Sequence, residues 1–288
     1  MAERRPATAS RNPGGAESGA PQPFVEPLVE TERPEAGVLV LTLAQPHARN
    51  SLSRAMIAAL QAAVDAASAD AGVRAVVIAA KGPAFSAGHD LKEITAHRGD
   101  PDAGRGFTEL LMRECTALMR SIMRSPKPAI AAVEGVATAA GCQLVATCDL
   151  AVASEAARFA TPGVNIGLFC STPMVALSRN VPRKRAMEML LLGEALTARE
   201  AAEYGLVNRV VAPGEALHAA LGMARTVASK PPQTLAIGKA AFYRQSEMAL
   251  ADAYAYAAGV MVENMLHAES REGIGAFIDK RAPDWDKT

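Results

Sequence analysis

Phe85-Ser86-Ala87-Gly88-His89-Asp90-Leu91-Lys92 and Ala139-Ala140-Gly141-Cys142-Gln143-Leu144 are two separated stretches that carry small residues where a strand turns into a helix. Small side chains let a ligand approach the main chain, and the first N–H groups of a helix have no internal partner. Each stretch can therefore present a backbone donor to a developing oxyanion. The flanking sequence supplies the frame. Residues 38–43 and 73–79 are apolar runs that predict buried strands. Between them Met56, Ile57, Leu60, Val64 and Ala67 mark one face of a helix over 54–69, with Ser53 as its cap. A second helix is predicted over 107–124, ended by Ser125-Pro126-Lys127-Pro128, with a strand at 130–133 after it. The pattern then repeats loosely. Thr197-Ala198-Arg199-Glu200 has the form of a capping box, Gly205 suits a helix stop, and residues 213–288 read as largely helical.

With 288 residues and 50% hydrophobic content, the chain can bury one substantial core. Thirty basic and thirty acidic residues leave no net field to attract nucleic acid or a membrane, so any anionic ligand must be held locally. Runs such as Val76-Val77-Ile78-Ala79-Ala80 are too short to span a bilayer, and residues 1–34, rich in Pro, Gly, Ala, Ser and Glu without periodicity, suit a disordered extension with no secretory apolar core. Glu3 and Glu17 argue against organelle targeting, so the expected location is the cytoplasm. Cys115, Cys142, Cys148 and Cys170 read as reduced core thiols, not as a disulfide framework, and no metal-ligand spacing occurs.

Taken in order, the motifs resemble the enoyl-CoA hydratase/isomerase (crotonase) family from about residue 38 to 281. Lys127-Pro128-Ala129-Ile130-Ala131-Ala132-Val133-Glu134-Gly135 resembles the family's strand entering the second turn. Arg185-Ala186-Met187-Glu188-Met189-Leu190 and Ala201-Ala202-Glu203-Tyr204-Gly205-Leu206-Val207 resemble its later helices. The runs Ala137-Thr138-Ala139-Ala140-Gly141-Cys142-Gln143 and Phe169-Cys170-Ser171-Thr172-Pro173 are similar to the branch called enoyl-CoA hydratase domain-containing protein 3. The resemblance implies an α/β fold, a crotonase-type β-β-α superhelix with a helical C-terminal trimerisation region. Residues 35–212 would be the core and 213–288 the oligomerisation region, giving a homotrimer or a dimer of trimers.

It also implies an acyl-CoA ligand, with coenzyme A entering as part of the substrate and no separate cofactor. Reactions beside a thioester carbonyl pass through an enolate, and family matching places its donors at the backbone N–H groups of His89 and Ala140. The His89 imidazole itself is not assigned as acid or base, because a residue recruited through its main chain needs no particular side chain. Ala48, Ala87, His89, Asp90, Leu91 and Lys92 match family positions along the CoA. Lys280 and Arg281, in the C-terminal helix, match a contribution from a neighbouring subunit, with a solvated surface as the equal alternative.

One departure bears on the chemistry. The positions that hold two proton-transferring glutamates in typical hydratases hold Gln143, which cannot titrate, and Gly163, which has no side chain. The loop beyond is replaced by Leu168-Phe169-Cys170-Ser171-Thr172-Pro173. Three substitutes are weighed and none is assigned. A bicarbonate base is disfavoured by Thr161; a Cys142 nucleophile at a helix start lacks a Ser/His/Asp-like arrangement; and Cys170, Ser171 and Thr172 suit a helix cap as well as a substrate contact. Restoring Glu at both 143 and 163 should raise hydration unless the 168–173 loop prevents it. Three classes remain open: an acyl-CoA enzyme with altered proton chemistry, a noncatalytic acyl-CoA-binding protein, and a structural or regulatory oligomer.

Overall fold

A computed structural model describes residues 1–2 and 26–285 of the chain. The chain opens with β1 (Val29–Glu35) antiparallel to β2 (Gly37–Leu43), then α1 (Arg54–Ala69), β3 (Val73–Ala80), β4 (Ala84–Ser86), α2 (Leu91–Ala96) and α3 (Arg105–Arg124). Next come β5 (Ala129–Val133), β6 (Val136–Thr138), α4 (Ala140–Thr147), β7 (Leu150–Ser154) and β8 (Arg158–Ala160). They lead into α5 (Pro173–Asn180), α6 (Arg183–Leu192), β9 (Leu196–Thr197), α7 (Ala198–Glu203) and β10 (Arg209–Val211). Four helices close the chain: α8 (Ala216–Ala228), α9 (Pro232–Gln245), α10 (Leu250–Leu266) and α11 (Ala268–Ile278).

Two sheets share this chain by alternation. β1-β2-β3-β5-β7-β10 form a six-stranded sheet, parallel after the first pair, and β4-β6-β8-β9 form a four-stranded one. In each turn, one strand joins the large sheet, the next joins the small one, and a helix leads back: β3-β4, β5-β6 and β7-β8. That is the expected β-β-α superhelix. The large sheet is covered on both faces, which is why its strands are unbroken apolar runs. One face packs Leu41, Leu43, Ile78, Ala131 and Ala153 with α1, α3 and α4. The other packs Val38, Val40, Val77, Ile130 and Val152 under α8, whose Ala216, Ala220, Ala224 and Ala228 recur every four residues. This alanine stripe lets the α8 axis approach the strands closely.

The predicted start signals form. Ser53 accepts the Met56 N–H at 3.2 Å, and Thr197 and Glu200 complete a reciprocal capping box on α7. Three carboxylates fasten the C-terminal helices. Glu134, between β5 and β6, accepts the N–H groups of Gly214 and Ala216 at 2.9 and 2.6 Å at the start of α8. Glu269, 2% exposed, accepts those of Gln233 and Thr234 at 3.0 and 2.7 Å and caps α9. Asp149 takes the Ala129 N–H at 2.7 Å, the Lys239 ammonium at 2.6 Å and the Tyr243 hydroxyl at 2.8 Å, while Lys239 also donates to the carbonyls of Ile122 and Lys127.

Two expected boundaries shift. The extension assigned to 1–34 ends earlier, because β1 starts at Val29, where the Val29, Thr31 and Glu32 backbones pair with Leu43, Leu41 and Val40; the sequence signal is weak because its side chains are mostly charged and exposed. Residues 3–25, on which most of that expectation falls, lie outside the described residues. Lys280 and Arg281 are not inside the last helix, since α11 ends at Ile278, Asp279 caps it and Lys280 turns to φ +55°. All four cysteines are free thiols, and among the described residues no helix is long and apolar enough to cross a membrane.

The close approaches give a stability test. A Cβ at Gly135 would lie 2.1 Å from the Pro83 carbonyl oxygen, whereas Gly222, inside α8, has nothing within 4 Å. Gly135→Ala is expected to destabilise the protein by about 1–3 kcal/mol or more through overpacking. Gly222→Ala should be neutral or stabilising by up to about 1 kcal/mol from helix propensity; urea denaturation of both variants checks the contrast.

Candidate active site

The two small-residue turns meet because the small sheet pairs their strands. β4 lies parallel to β6, so the turn from β4 into α2 and the turn from β6 into α4 emerge side by side. Contact then becomes backbone on backbone. A Cβ at Gly141 would lie 2.2 Å from the Ser86 carbonyl oxygen, and one at Gly88 would lie 3.0 Å from the Thr138 oxygen and 3.2 Å from the Ala140 nitrogen. Only glycine fits at either place. Gly88, at φ +85°, therefore lies directly against Ala139 and Ala140 as it turns the chain into His89.

Neither the His89 nor the Ala140 N–H donates to an acceptor among the described residues. Ala140 opens α4, so its N–H is free of the helix ladder and carries the positive end of the helix dipole. Ala139 before it is held at φ +50°, ψ −119°, where an L-residue costs about 1–3 kcal/mol. It is pinned from both sides: its N–H donates to Ala160 at 2.9 Å, and its carbonyl accepts the Gln143 N–H at 3.0 Å. Two adjacent unpaired donors, one fixed by a strained residue, can stabilise negative charge on one oxygen.

A network missed in the sequence holds the first turn. Asn50 is fully buried; its side chain accepts the Gln45 N–H at 2.8 Å and donates to the carbonyls of Lys81 and Ala84 at 2.9 and 2.8 Å. Its own carbonyl accepts the Ser86 hydroxyl at 2.8 Å, and that hydroxyl accepts the Gly88 N–H at 3.3 Å. Ser86 was legible only as a small residue. Its role depends on a partner 36 positions earlier.

The expected CoA-side residues largely gather here. Ala48 ends the short turn Pro46–Ala48, and the next residue, Arg49, accepts the Ala87 N–H at 3.0 Å. Thr138 donates its hydroxyl to the Ala87 carbonyl. Asp90 is the α2 N-cap, taking the N–H groups of Lys92 and Glu93, and Leu91 and Lys92 stand exposed on that first turn. Lys280 lies apart from them: α11 packs on α9 and α10, and Arg281 is paired with Glu272 at 2.6 Å.

Besides Asp90, Lys92 and Glu93 on the first turn of α2, the side chains near the turns are an imidazole, an amide and thiols. Burial pushes the His89 imidazole below its ordinary range, partly offset by its bond to the Leu52 carbonyl at 3.2 Å and by nearby Glu93. With Nδ1 facing that carbonyl as donor, Nε2 is left buried without a partner. Gln143, 5% exposed, lies in the first turn of α4. Gly163 is buried, and a Cβ there would meet the Leu168 oxygen at 2.7 Å and the Cys170 sulfur at 2.9 Å. The 168–170 segment fills the space a side chain at 163 would need. Cys142 does not acidify at its helix start: desolvation pushes its thiol up to about 12. The Cys170 thiol is also raised by burial, against a bond from the Gly163 N–H. Thr172 precedes α5 without a side-chain cap bond, so the capping role weighed for it is not formed.

A cleft of about 300 Å³ between α9, Pro128 and Asp149 lies at the C-terminal end of α4, away from the paired turns, and its Asp149, Lys239 and Tyr243 are already bonded together. The paired turns lie at the other end of that helix.

The family model described as Enoyl-CoA hydratase/isomerase matches residues 33–288. The chain belongs to the enoyl-CoA hydratase/isomerase family. It is 45% identical over 278 residues to human Enoyl-CoA hydratase domain-containing protein 3, mitochondrial, covering 96% of this chain and 88% of that one. It is 34% identical to the 2,3-dehydroadipyl-CoA hydratase of Escherichia coli over 86% of this chain and 94% of the other. A solved enoyl-CoA hydratase from Mycobacterium smegmatis superposes with a TM-score of 0.86 at 52% identity, covering 91% of this chain and all of that one. The human domain-containing protein 3 structure gives 0.85 at 43%, over 90% of this chain and all of that one. The crotonase fold and the branch resemblance both stand on these matches.

The buried imidazole yields a pH test. Its folded pKa is depressed below the unfolded 6.5, so the folded state binds fewer protons and the associated stability is present above 6.5 and lost as pH falls through the folded value. Urea midpoints of the wild type should decline from pH 6.5 to about 5, before most carboxylates titrate. His89→Gln should show a flatter profile over that window.

Proposed function

We propose that the protein is an acyl-CoA enzyme that stabilises a thioester enolate between the N–H groups of His89 and Ala140. The observation that carries this is the pair of unpaired donors held side by side by Gly88, Gly141 and strained Ala139. A thioester carbonyl placed there gains two hydrogen bonds that strengthen as charge develops on its oxygen. The nucleotide and pantetheine would run along Ala48, Ala87 and residues 90–92, with the Lys92 ammonium facing phosphate and the exposed Leu91 offering apolar surface. No separate cofactor is needed for this chemistry. Proton transfer is altered, because Gln143 and Gly163 carry no titratable group and the buried thiols are held protonated. Noncatalytic acyl-CoA binding uses the same donors and is the second reading, supported by the same two replacements.

Assembly as a trimer or a dimer of trimers belongs to this proposal. No residue of α9 or α10 is buried in the protomer, and Leu250, Tyr254, Met261, Leu266, Phe277 and Ile278 are exposed apolar residues of the C-terminal helices. A neighbouring subunit would cover them and could bring Lys280 toward a CoA. The proposed compartment is the cytoplasm, on Glu3 and Glu17 in the N-terminal segment, although the vertebrate relatives carry "mitochondrial" in their names.

Calorimetry with acetyl-CoA and longer acyl-CoAs should show binding, and complete failure at millimolar concentration would sink the site assignment. Crotonyl-CoA hydration should run at least about a hundredfold below that of a two-carboxylate hydratase, since each acid or base typically contributes 100- to 10,000-fold. The double variant Gln143→Glu with Gly163→Glu should not recover it, because the Leu168 oxygen and Cys170 sulfur occupy the place of the new side chain. A wild-type turnover of hundreds per second, or a large gain in the double variant, would contradict this account of the two positions.

Multi-angle light scattering should give a trimer or hexamer mass. A monomer at micromolar concentration would rule out that assembly.

A further inference from the structure

Every residue of the first donor turn from Ser86 to Asp90 is tied to one short segment, 49–52. Ser86 donates its hydroxyl to the Asn50 carbonyl at 2.8 Å, and Ala87 donates its N–H to the Arg49 carbonyl at 3.0 Å. Leu52 donates its N–H to the Gly88 carbonyl at 2.7 Å and pairs with His89 in a parallel bridge. The Leu52 carbonyl faces His89 Nδ1 at 3.2 Å, and Ser51 donates its hydroxyl to Asp90 at 3.3 Å. The segment is itself fixed. Arg49 and Asn50 are held at φ +51° and +50°, and the Leu52 side chain is fully buried in the core.

One of these bonds comes from the side chain of the very residue whose N–H is the donor. The Gly88 carbonyl and the His89 N–H belong to one planar peptide and point in opposite directions, so the Leu52 N–H on that carbonyl sets the line of the donor. The imidazole then ties the far end of the same peptide back to Leu52. With a bond to Leu52 on either side of it, the His89 N–H is clamped against rotation of its peptide.

The imidazole has no second task in view. A carbonyl only accepts, so Nδ1 carries the proton and Nε2 is the bare nitrogen. Nε2 is enclosed and has no hydrogen-bond partner among the described residues, so it is not placed to exchange protons with a ligand. An apolar side chain here would avoid that unpaired nitrogen but would lose the bond to Leu52.

Resting on the assignment of the His89 N–H as an oxyanion donor, we propose that the His89 imidazole is a positioning group for its own backbone. By donating from Nδ1 to the Leu52 carbonyl, it keeps the peptide N–H aimed at the thioester oxygen.

The test compares the full chain with His89→Leu, which removes the bond, and His89→Asn, whose amide N–H can take the place of Nδ1–H. Each is titrated calorimetrically with acetyl-CoA and with S-ethyl-CoA, a thioether that has a methylene where the thioester has its carbonyl. The carbonyl band of bound, isotope-labelled acetyl-CoA is followed by infrared difference spectroscopy. Wild type should bind acetyl-CoA at least about tenfold tighter than the thioether, with the band moved to lower frequency. His89→Leu should shrink the preference to within about threefold and return the band toward its solution position, while S-ethyl-CoA affinity changes by less than about twofold. His89→Asn should restore both. A merely structural histidine would lower the urea midpoint of His89→Leu without moving the ratio or the band, and that result overturns the proposal. So does a loss in His89→Leu that His89→Asn does not recover, since it assigns the effect to bulk. Nitrogen NMR of histidine-labelled wild type decides without any variant: a proton on Nε2 in place of Nδ1 also overturns it. A wild type with neither preference nor band shift removes the donor assignment itself, and this inference with it.

Discussion

The structure depends on one contact in which two backbones touch with no side chain between them. Gly141 lies against the Ser86 carbonyl and Gly88 against Ala140, and the distances leave no volume for even a methyl group. Much of the surrounding architecture serves to hold that contact. Parallel pairing of β4 with β6 sets the direction, the Asn50–Ser86–Gly88 chain of hydrogen bonds sets the first turn, and Ala160 with Gln143 pins strained Ala139 in the second. Because the donors are main-chain atoms, their positions are as rigid as the strands and helix that carry them.

Charge is distributed by the same logic. Glu134, Glu269 and Asp149 are all consumed as scaffold, binding backbone N–H groups or an internal lysine. Around the paired turns stand a buried imidazole, an amide and protonated thiols, with Asp90, Lys92 and Glu93 on the first turn of α2. The two unpaired N–H groups present fixed backbone dipoles, and neither Gln143 nor Gly163 carries a group that titrates. This sets it apart from a site built on two carboxylates.

Local signals were the legible ones. The helix over 54–69 with its Ser53 cap, the capping box at Thr197 and the strands at 73–79 and 130–133 were readable because periodicity and caps are encoded within a few residues. The two small-residue stretches were legible too as turns from strand into helix, since glycine marks where backbones approach closely. What escaped depends on long-range pairing. Charged β1 becomes a strand only by hydrogen bonding to β2, Asn50 gains meaning only from Lys81 and Ala84, and the crowding at Gly163 comes from residues 168–170 folding back. The end of α11 before Lys280 is set by a capping geometry that composition does not encode.

Asp149 has a consequence for the order in which the chain is made. Its ammonium partner, Lys239, lies 90 positions later and its phenol partner, Tyr243, lies 94 later, yet the carboxylate is fixed between β5 and β7. On the ribosome, both sheets can be complete while this carboxylate still waits for its cation. Until then water can solvate it, because the helix that covers it is the one that carries its partners. Nascent protein therefore holds this carboxylate with the Ala129 N–H and water until α9 emerges, and docking of that helix exchanges the water for Lys239 and Tyr243.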